Sequence, residues 1–317
     1  MSEVLLSVKN LHMHYITEDE TIKAVNGVSF DIHEGESIGL VGETGAGKTS
    51  TALSIMQLIP DPPGIIVGGE VNFRGENLVF NTEKRNRQIR GNRISMIFQD
   101  PMTALNPIMT VGDQLIEALL THKKISRAEA QTAVEKMLEI VGVNADRLPN
   151  YPHQFSGGMK QRVVICMALL CNPELLIADE PTTALDVTIQ AQVLEVIRNL
   201  RNEYKMSLLL ITHDLGVVAE TCDNIAIMYA GEIVEKGTVK QVFTNPKHPY
   251  TKGLFDSIPK LEEDSTRLTP IDGQIPNPAD LPSGCFFHPR CRFVKPECKI
   301  TAPSFKGDGH IYKCHLE

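Results

Sequence analysis

Eight consecutive residues, Gly42-Glu43-Thr44-Gly45-Ala46-Gly47-Lys48-Thr49, fit the pattern G-x-x-x-x-G-K-S/T, and Ser50 follows them. Glycines at that spacing let successive backbone N–H groups turn inward around phosphate oxygens. The Lys48 ammonium adds charge for the outer phosphates, and the Thr49 hydroxyl can ligate Mg2+. The chemistry is capture of a nucleotide polyphosphate. A chance glycine turn ahead of a helix would show the same letters, so the flanks decide between the two. Ahead of the loop, Ser37-Ile38-Gly39-Leu40-Val41 is nearly all apolar and reads as a buried strand; residues 49–58 have helical spacing.

A second group could hydrolyse what the first one holds. The apolar run Leu175-Leu176-Ile177-Ala178 ends in Asp179 and Glu180. Neighbouring residues at a strand end point in different directions, so one carboxylate can hold Mg2+ while the other orients or deprotonates an attacking water. Both could also simply solvate the strand end. In Phe155-Ser156-Gly157-Gly158-Met159-Lys160-Gln161, Ser156 is a natural helix N-cap, and the two glycines leave N–H groups open to an anion at the positive end of the helix dipole. An ordinary capped helix explains the serine, but a glycine pair costs helix stability and needs a further reason.

These residues must be positioned by an α/β core. Short apolar runs at 4–8, 28–32 and 37–41 predict strands; residues 111–122 and 128–141 predict long helices between about 101 and 151. Then come a strand at 175–178, a helix at 189–202, and strands at 207–212 and 225–229. The alternation predicts a largely parallel sheet with a helical insertion. At 317 residues, with 42% hydrophobic and 22% charged residues, the chain can bury a full core. A formal net charge of -8 lacks the basic footprint of a nucleic-acid binder. The longest apolar stretch, 163–171, falls short of the roughly 20 residues of a spanning helix, and the first residues do not read as a secretory signal. The expected place is the cytosol.

With those motifs in order, residues 4–245 resemble the nucleotide-binding subunit of an ABC transporter. The resemblance implies a P-loop NTPase core with a β-subdomain and an inserted helical subdomain (about 100–165), binding ATP and Mg2+. It implies that Ser156, Gly157, Gly158 and Gln161 close on ATP held by a partner's phosphate loop, giving a dimer with two ATP at the interface. The family's commonest signature opens with leucine and has glutamine after the glycines, where this chain has Phe155 and Met159. Gln99 resembles the glutamine that senses Mg2+ and water, so the expected Mg2+ set is Thr49, Gln99 and Asp179. Asp186, in Ala184-Leu185-Asp186, resembles the loop that touches the partner, and His213 the histidine at the γ-phosphate. Glu180 would then be the catalytic carboxylate. Tyr15 takes the place of the aromatic that stacks on adenine, though a core tyrosine fits there too.

Past about residue 245 the texture changes. Residues 246–317 hold ten of the 19 prolines and four of the seven cysteines, and read as a separate, irregular appendage. His248-Pro249-Tyr250 and the block around Cys285 and Cys291 resemble the C-terminal extension of ATPases serving dipeptide and oligopeptide importers. That implies peptide uptake at the cytoplasmic face of the cell membrane, with a second ABC ATPase (a heterodimer), two transmembrane permease subunits and an extracytoplasmic substrate-binding protein. Nucleic acid is not expected as a partner. A soluble ABC-type ATPase acting on DNA or ribosomes, or an importer of nickel, sugars or glutathione, would share the core motifs. The spacing C-x5-C-x6-C-x15-C of Cys285, Cys291, Cys298 and Cys314 is not that of a zinc ribbon. Four thiolates could hold a 4Fe–4S cluster, as some family members do, with zinc or free thiols as alternatives. His288, His310 and His315 read as bystanders, and Cys166, Cys171 and Cys222 as core residues.

Overall fold

The computed structural model describes residues 3–182, 187–257 and 270–316. Among these the strands are, in chain order, β1 (Val4–Ile16), β2 (Thr21–His33), β3 (Ser37–Val41), β4 (Gly64–Phe73), β5 (Glu76–Asn77) and β6 (Ile94–Ile97). They continue with β7 (Leu175–Asp179), β8 (Ser207–Thr212), β9 (Asn224–Tyr229), β10 (Glu232–Thr238), β11 (Phe305–Lys306) and β12 (Ile311–Lys313). The chain divides into two compact units.

The first unit gathers Met1–Leu5, Ile32–Ser37 and Phe80–Ile211. In it β6, β7 and β8 run parallel, with Ile97 opposite Ala178 and Asp179 opposite Ile211. Every residue of these three strands is buried, which is why the sequence shows unbroken apolar runs there instead of alternation. The helical stretch is built from Val111–His122, Arg127–Ile140 and Gly157–Leu169. Thr110 caps the first of these helices. A reciprocal Ser126–Glu129 capping box starts the second, so both begin where side-chain chemistry satisfies the orphan N–H groups. Val111, Leu115 and Leu119 on one helix and Ala130, Val134, Met137 and Leu138 on the next are buried at helical spacing.

The second unit gathers Leu6–Asp31, Ile38–Val79 and Thr212–Glu317. One sheet has the order β2-β1-β4-β5, with β1 and β4 antiparallel from Leu6 opposite Phe73 to Tyr15 opposite Gly64. The register shifts between Lys9 and His12. Opposite that shift Gly69 has φ +92, and a Cβ there would lie 2.3 Å from the Asn10 carbonyl oxygen, so the bulge needs glycine. β3 pairs in parallel with β9, and β10 runs antiparallel to β9.

Two differences from the sequence reading have physical causes. β1 and β2 run well beyond residues 4–8 and 28–32, and β4 was not foreseen. Sheets with one wet face carry Lys, Asn and His on that face, and these interrupt the apolar runs. The C-terminal residues also have more regular structure than their composition suggests. Pro249–Asp256 is helical, β12 pairs antiparallel with β10, and β11 pairs with β12. The edge of β10 supplies the backbone partners that a proline-rich segment cannot make for itself.

Candidate nucleotide-hydrolysing site

In the second unit the buried strand β3 passes through Gly42–Thr49 into the helix Lys48–Met56. A Cβ on Gly42 would lie 2.2 Å from the Met228 carbonyl oxygen. Gly47 sits at φ +97 with a hypothetical Cβ 2.3 Å from the Ala24 carbonyl oxygen, so neither position admits a side chain. The helix N-cap is Gly47, which makes no side-chain capping bond, so the first helical N–H groups lack a capping side chain. Lys48 is buried, and its ammonium donates to the carbonyls of Gly42 at 2.7 Å and Glu43 at 3.2 Å. Thr44, Gly45 and Thr49 are exposed. Ala46 is buried, and its N–H donates to the Glu43 carbonyl. Tyr15 comes within 3.5 Å of the Ser50 hydroxyl, beside the first helical turn. His213 follows β8 and is exposed.

In the first unit Asp179 is buried at the end of β7. Glu180 follows in the left-handed region at φ +46, its N–H donating to the Ile211 carbonyl at 2.8 Å. A non-glycine residue there stores strain, and the left-handed backbone takes the chain off the line of the strand. Gln99 Nε2 donates to Glu180 Oε2 at 3.0 Å, so two residues 81 apart in sequence are brought together. Ser156 accepts the Met159 N–H at 3.4 Å as N-cap of Gly157–Leu169. The two glycines differ. A Cβ on Gly158 would lie 2.8 Å from Ile189 Cγ2, whereas one on Gly157 would meet nothing within 4 Å. Gly157 is exposed and has no packing reason to be glycine. Gln161, expected to close on a partner's ATP, is instead buried, and its amide donates to the Pro181 carbonyl at 2.6 Å, facing its own strand end. Asp186 lies outside the described residues.

The four tail cysteines line one small cavity with His288, His315, Phe287 and Phe293. Burial pushes the Cys285 thiol up to about 11, and burial likewise raises Cys291 and Cys314, with the neighbouring sulfurs adding to the effect. His288 Nδ1 lies 3.0 Å from the Cys285 carbonyl, and His315 Nε2 lies 2.8 Å from the Thr301 carbonyl. The donor set, four soft sulfurs in a desolvated pocket, suits a thiolate-bound metal centre. Among the described residues no three His, Cys, Asp or Glu converge closely enough to hold a metal ion. Cys166, Cys171 and Cys222 are buried, as expected of core thiols.

One residue of this region was not foreseen. Arg290 pairs both guanidinium nitrogens with the Glu43 carboxylate in the phosphate loop. Its position inside the block from Cys285 to Cys291 was visible in the sequence, but its partner was not.

A family model described as ABC transporter matches residues 25–183, half of the chain. The chain belongs to the ABC transporter ATP-binding family. It is thus an ATP hydrolase of the P-loop NTPase fold whose hydrolysis is coupled to transport. A second model, described as the oligopeptide/dipeptide transporter C-terminal region, matches residues 234–298. Dipeptide transport ATP-binding protein DppD of Bacillus subtilis (strain 168) is 51% identical over 99% of this chain and 95% of its own length. Oligopeptide transport ATP-binding protein AppD of the same organism is 47% identical over 98% and 96%. Among solved structures, the dimeric post-hydrolysis state of the ATP-binding cassette MJ0796 bound to ADP and Pi superposes with a TM-score of 0.67. It is 26% identical and covers 74% of this chain and 98% of that one. Among the described residues no helix is long and apolar enough to cross a membrane.

Proposed function

We propose that this ATPase powers import of dipeptides or oligopeptides across the cytoplasmic membrane. The observation that carries the cargo class is the oligopeptide/dipeptide transporter C-terminal region at 234–298, joined to the ATPase core in one chain. In this reading residues 1–245 are the ATPase, with its helical subdomain at about 100–165, and residues 246–317 are the extension. The chain works peripherally at the cytoplasmic face, with a second ABC ATPase as heterodimer partner, two transmembrane permeases and an extracytoplasmic substrate-binding protein.

The residues divide the work by chemistry. Backbone N–H groups of Gly42–Ser50 and the Lys48 ammonium hold the ATP phosphates, and Tyr15, beside Ser50, stacks on the adenine. Thr49, Gln99 and Asp179 supply oxygens for Mg2+, which neutralises phosphate charge when bound. Glu180, held by Gln99, orients the attacking water and takes its proton, and His213 meets the γ-phosphate. Ser156, Gly157 and Gly158 close on the partner's ATP, which gives Gly157, open to solvent, a reason to be glycine. Gln161, buried against Pro181, supports that surface from beneath. Asp186 contacts the partner subunit. Cys285, Cys291, Cys298 and Cys314 hold a 4Fe–4S cluster, which staples a segment poor in apolar residues. The test is peptide uptake by the assembled transporter, wild type against Glu180→Gln: uptake that stops in the variant supports the reading, and undiminished uptake refutes it.

A further inference from the structure

Glu43 is where the C-terminal extension takes hold of the phosphate loop. Its carboxylate receives Arg290 Nη1 at 2.7 Å and Nη2 at 3.1 Å, a bidentate fork. Its N–H donates to the Tyr250 hydroxyl oxygen at 3.0 Å. Its carbonyl in turn accepts from Lys48 Nζ at 3.2 Å and from the Ala46 N–H at 3.1 Å. One loop residue thus links the extension at two points to the phosphate-binding lysine.

The extension's two groups are themselves held fast. Arg290 Nε donates to the Asp272 carbonyl at 3.1 Å and Nη2 to the Ile271 carbonyl at 3.3 Å. The guanidinium also lies 5.8 Å over the Tyr229 ring, and its side chain is only 4% exposed. Tyr250 is fully buried, 4.6 Å from the Tyr229 ring and 5.5 Å from Phe287. A carboxylate within a loop that gathers an anion opposes that anion unless its charge is cancelled. Arg290 cancels the charge and fixes its direction, and Tyr250 fixes the backbone at the same residue.

We infer that Arg290 and Tyr250 are positioning residues for ATP binding, acting through Glu43 to neutralise and set the phosphate loop. This rests on the loop being the ATP site. Neither residue needs to touch the nucleotide. Loss of Arg290 leaves the Glu43 carboxylate uncompensated, so ATP affinity falls, and removing that carboxylate as well restores it. An Arg290 that only holds the extension together behaves differently, because deleting the Glu43 charge then recovers nothing.

The experiment is calorimetric titration of the purified full chain with Mg–ATP. Arg290→Ala is expected to bind about tenfold or more weakly, and the double variant Arg290→Ala/Glu43→Gln to return to within about threefold of wild type. Arg290→Lys, which keeps the charge but loses the fork, and Tyr250→Phe should each lose about threefold. Wild-type affinity in Arg290→Ala, or a double variant as weak as the single, overturns the inference. Should Arg290→Ala not fold, Arg290→Gln, which keeps most of the side chain's bulk but loses the charge, is compared with and without Glu43→Gln: rescue supports the inference and no rescue overturns it. Lys48→Ala separates the underlying reading. Wild-type binding that survives Lys48→Ala, or no binding by wild type, sinks the ATP site and this inference with it.

Discussion

Acidification should loosen the C-terminal extension through one buried histidine. His248 is 1% exposed, its N–H donates to Glu235 Oε2 at 2.8 Å, and its Nδ1 accepts the Tyr250 N–H at 3.1 Å as cap of Pro249–Asp256. Burial pushes its pKa down from 6.5 to about 3, so the folded chain keeps it neutral where the unfolded chain protonates it. Between those values the unfolded state binds more protons, and stability falls as pH falls, by at most about 1.4 kcal/mol per pH unit. Well above pH 6.5 neither state protonates the residue and its pH effect vanishes. From pH 7 to pH 5 the loss from this group is about 2 kcal/mol. His248→Asn keeps an N-capping acceptor and removes the titration. Urea unfolding at both pH values, followed by tyrosine fluorescence because the chain has no tryptophan, measures the difference. Wild type should lose about 2 kcal/mol more than His248→Asn on going to pH 5. Equal losses refute the burial argument.

Two further outcomes follow from the extension. Phe287 is buried with Tyr229, Tyr250 and His248 around it at ring distances of 5.2, 5.5 and 5.6 Å, so Phe287→Ala should lower stability by about 3–5 kcal/mol in the same urea assay. Anaerobically purified protein should contain iron and labile sulfide, lost in Cys298→Ser; a colourless protein with stoichiometric zinc contradicts the cluster.

The parts of the site that depend on contiguous residues were legible in the sequence. The phosphate loop and its flanks show themselves because β3 is buried on both faces and passes directly into glycines that backbone geometry requires. The carboxylate pair shows itself for the same reason, since β7 is an unbroken apolar run. The helix Val111–His122 and the strand β8 have the bounds that their periodicity predicts. What periodicity cannot show is pairing between distant residues. The Glu43–Arg290 fork spans 247 positions, and its members look like an ordinary loop residue and an ordinary arginine among cysteines. Gln161 sits in a surface-like signature, yet one hydrogen bond to Pro181 turns it inward. The long wet strands β1, β2 and β4 were obscured because their exposed positions carry polar residues and glycines.

Whether Glu180 is the base that activates water is decided by steady-state ATP hydrolysis in the assembled transporter carrying Glu180→Gln. The amide is nearly isosteric and can still accept the Gln99 hydrogen bond through its oxygen, so the fold and Mg–ATP binding should persist. General-base loss of this kind lowers turnover by about 10^2- to 10^4-fold, or about 3–5.5 kcal/mol of barrier. With Glu180 as the base, ATP affinity in the variant stays within about threefold of wild type and turnover falls by at least about a hundredfold. Turnover at the wild-type rate, with ATP bound, would contradict that role.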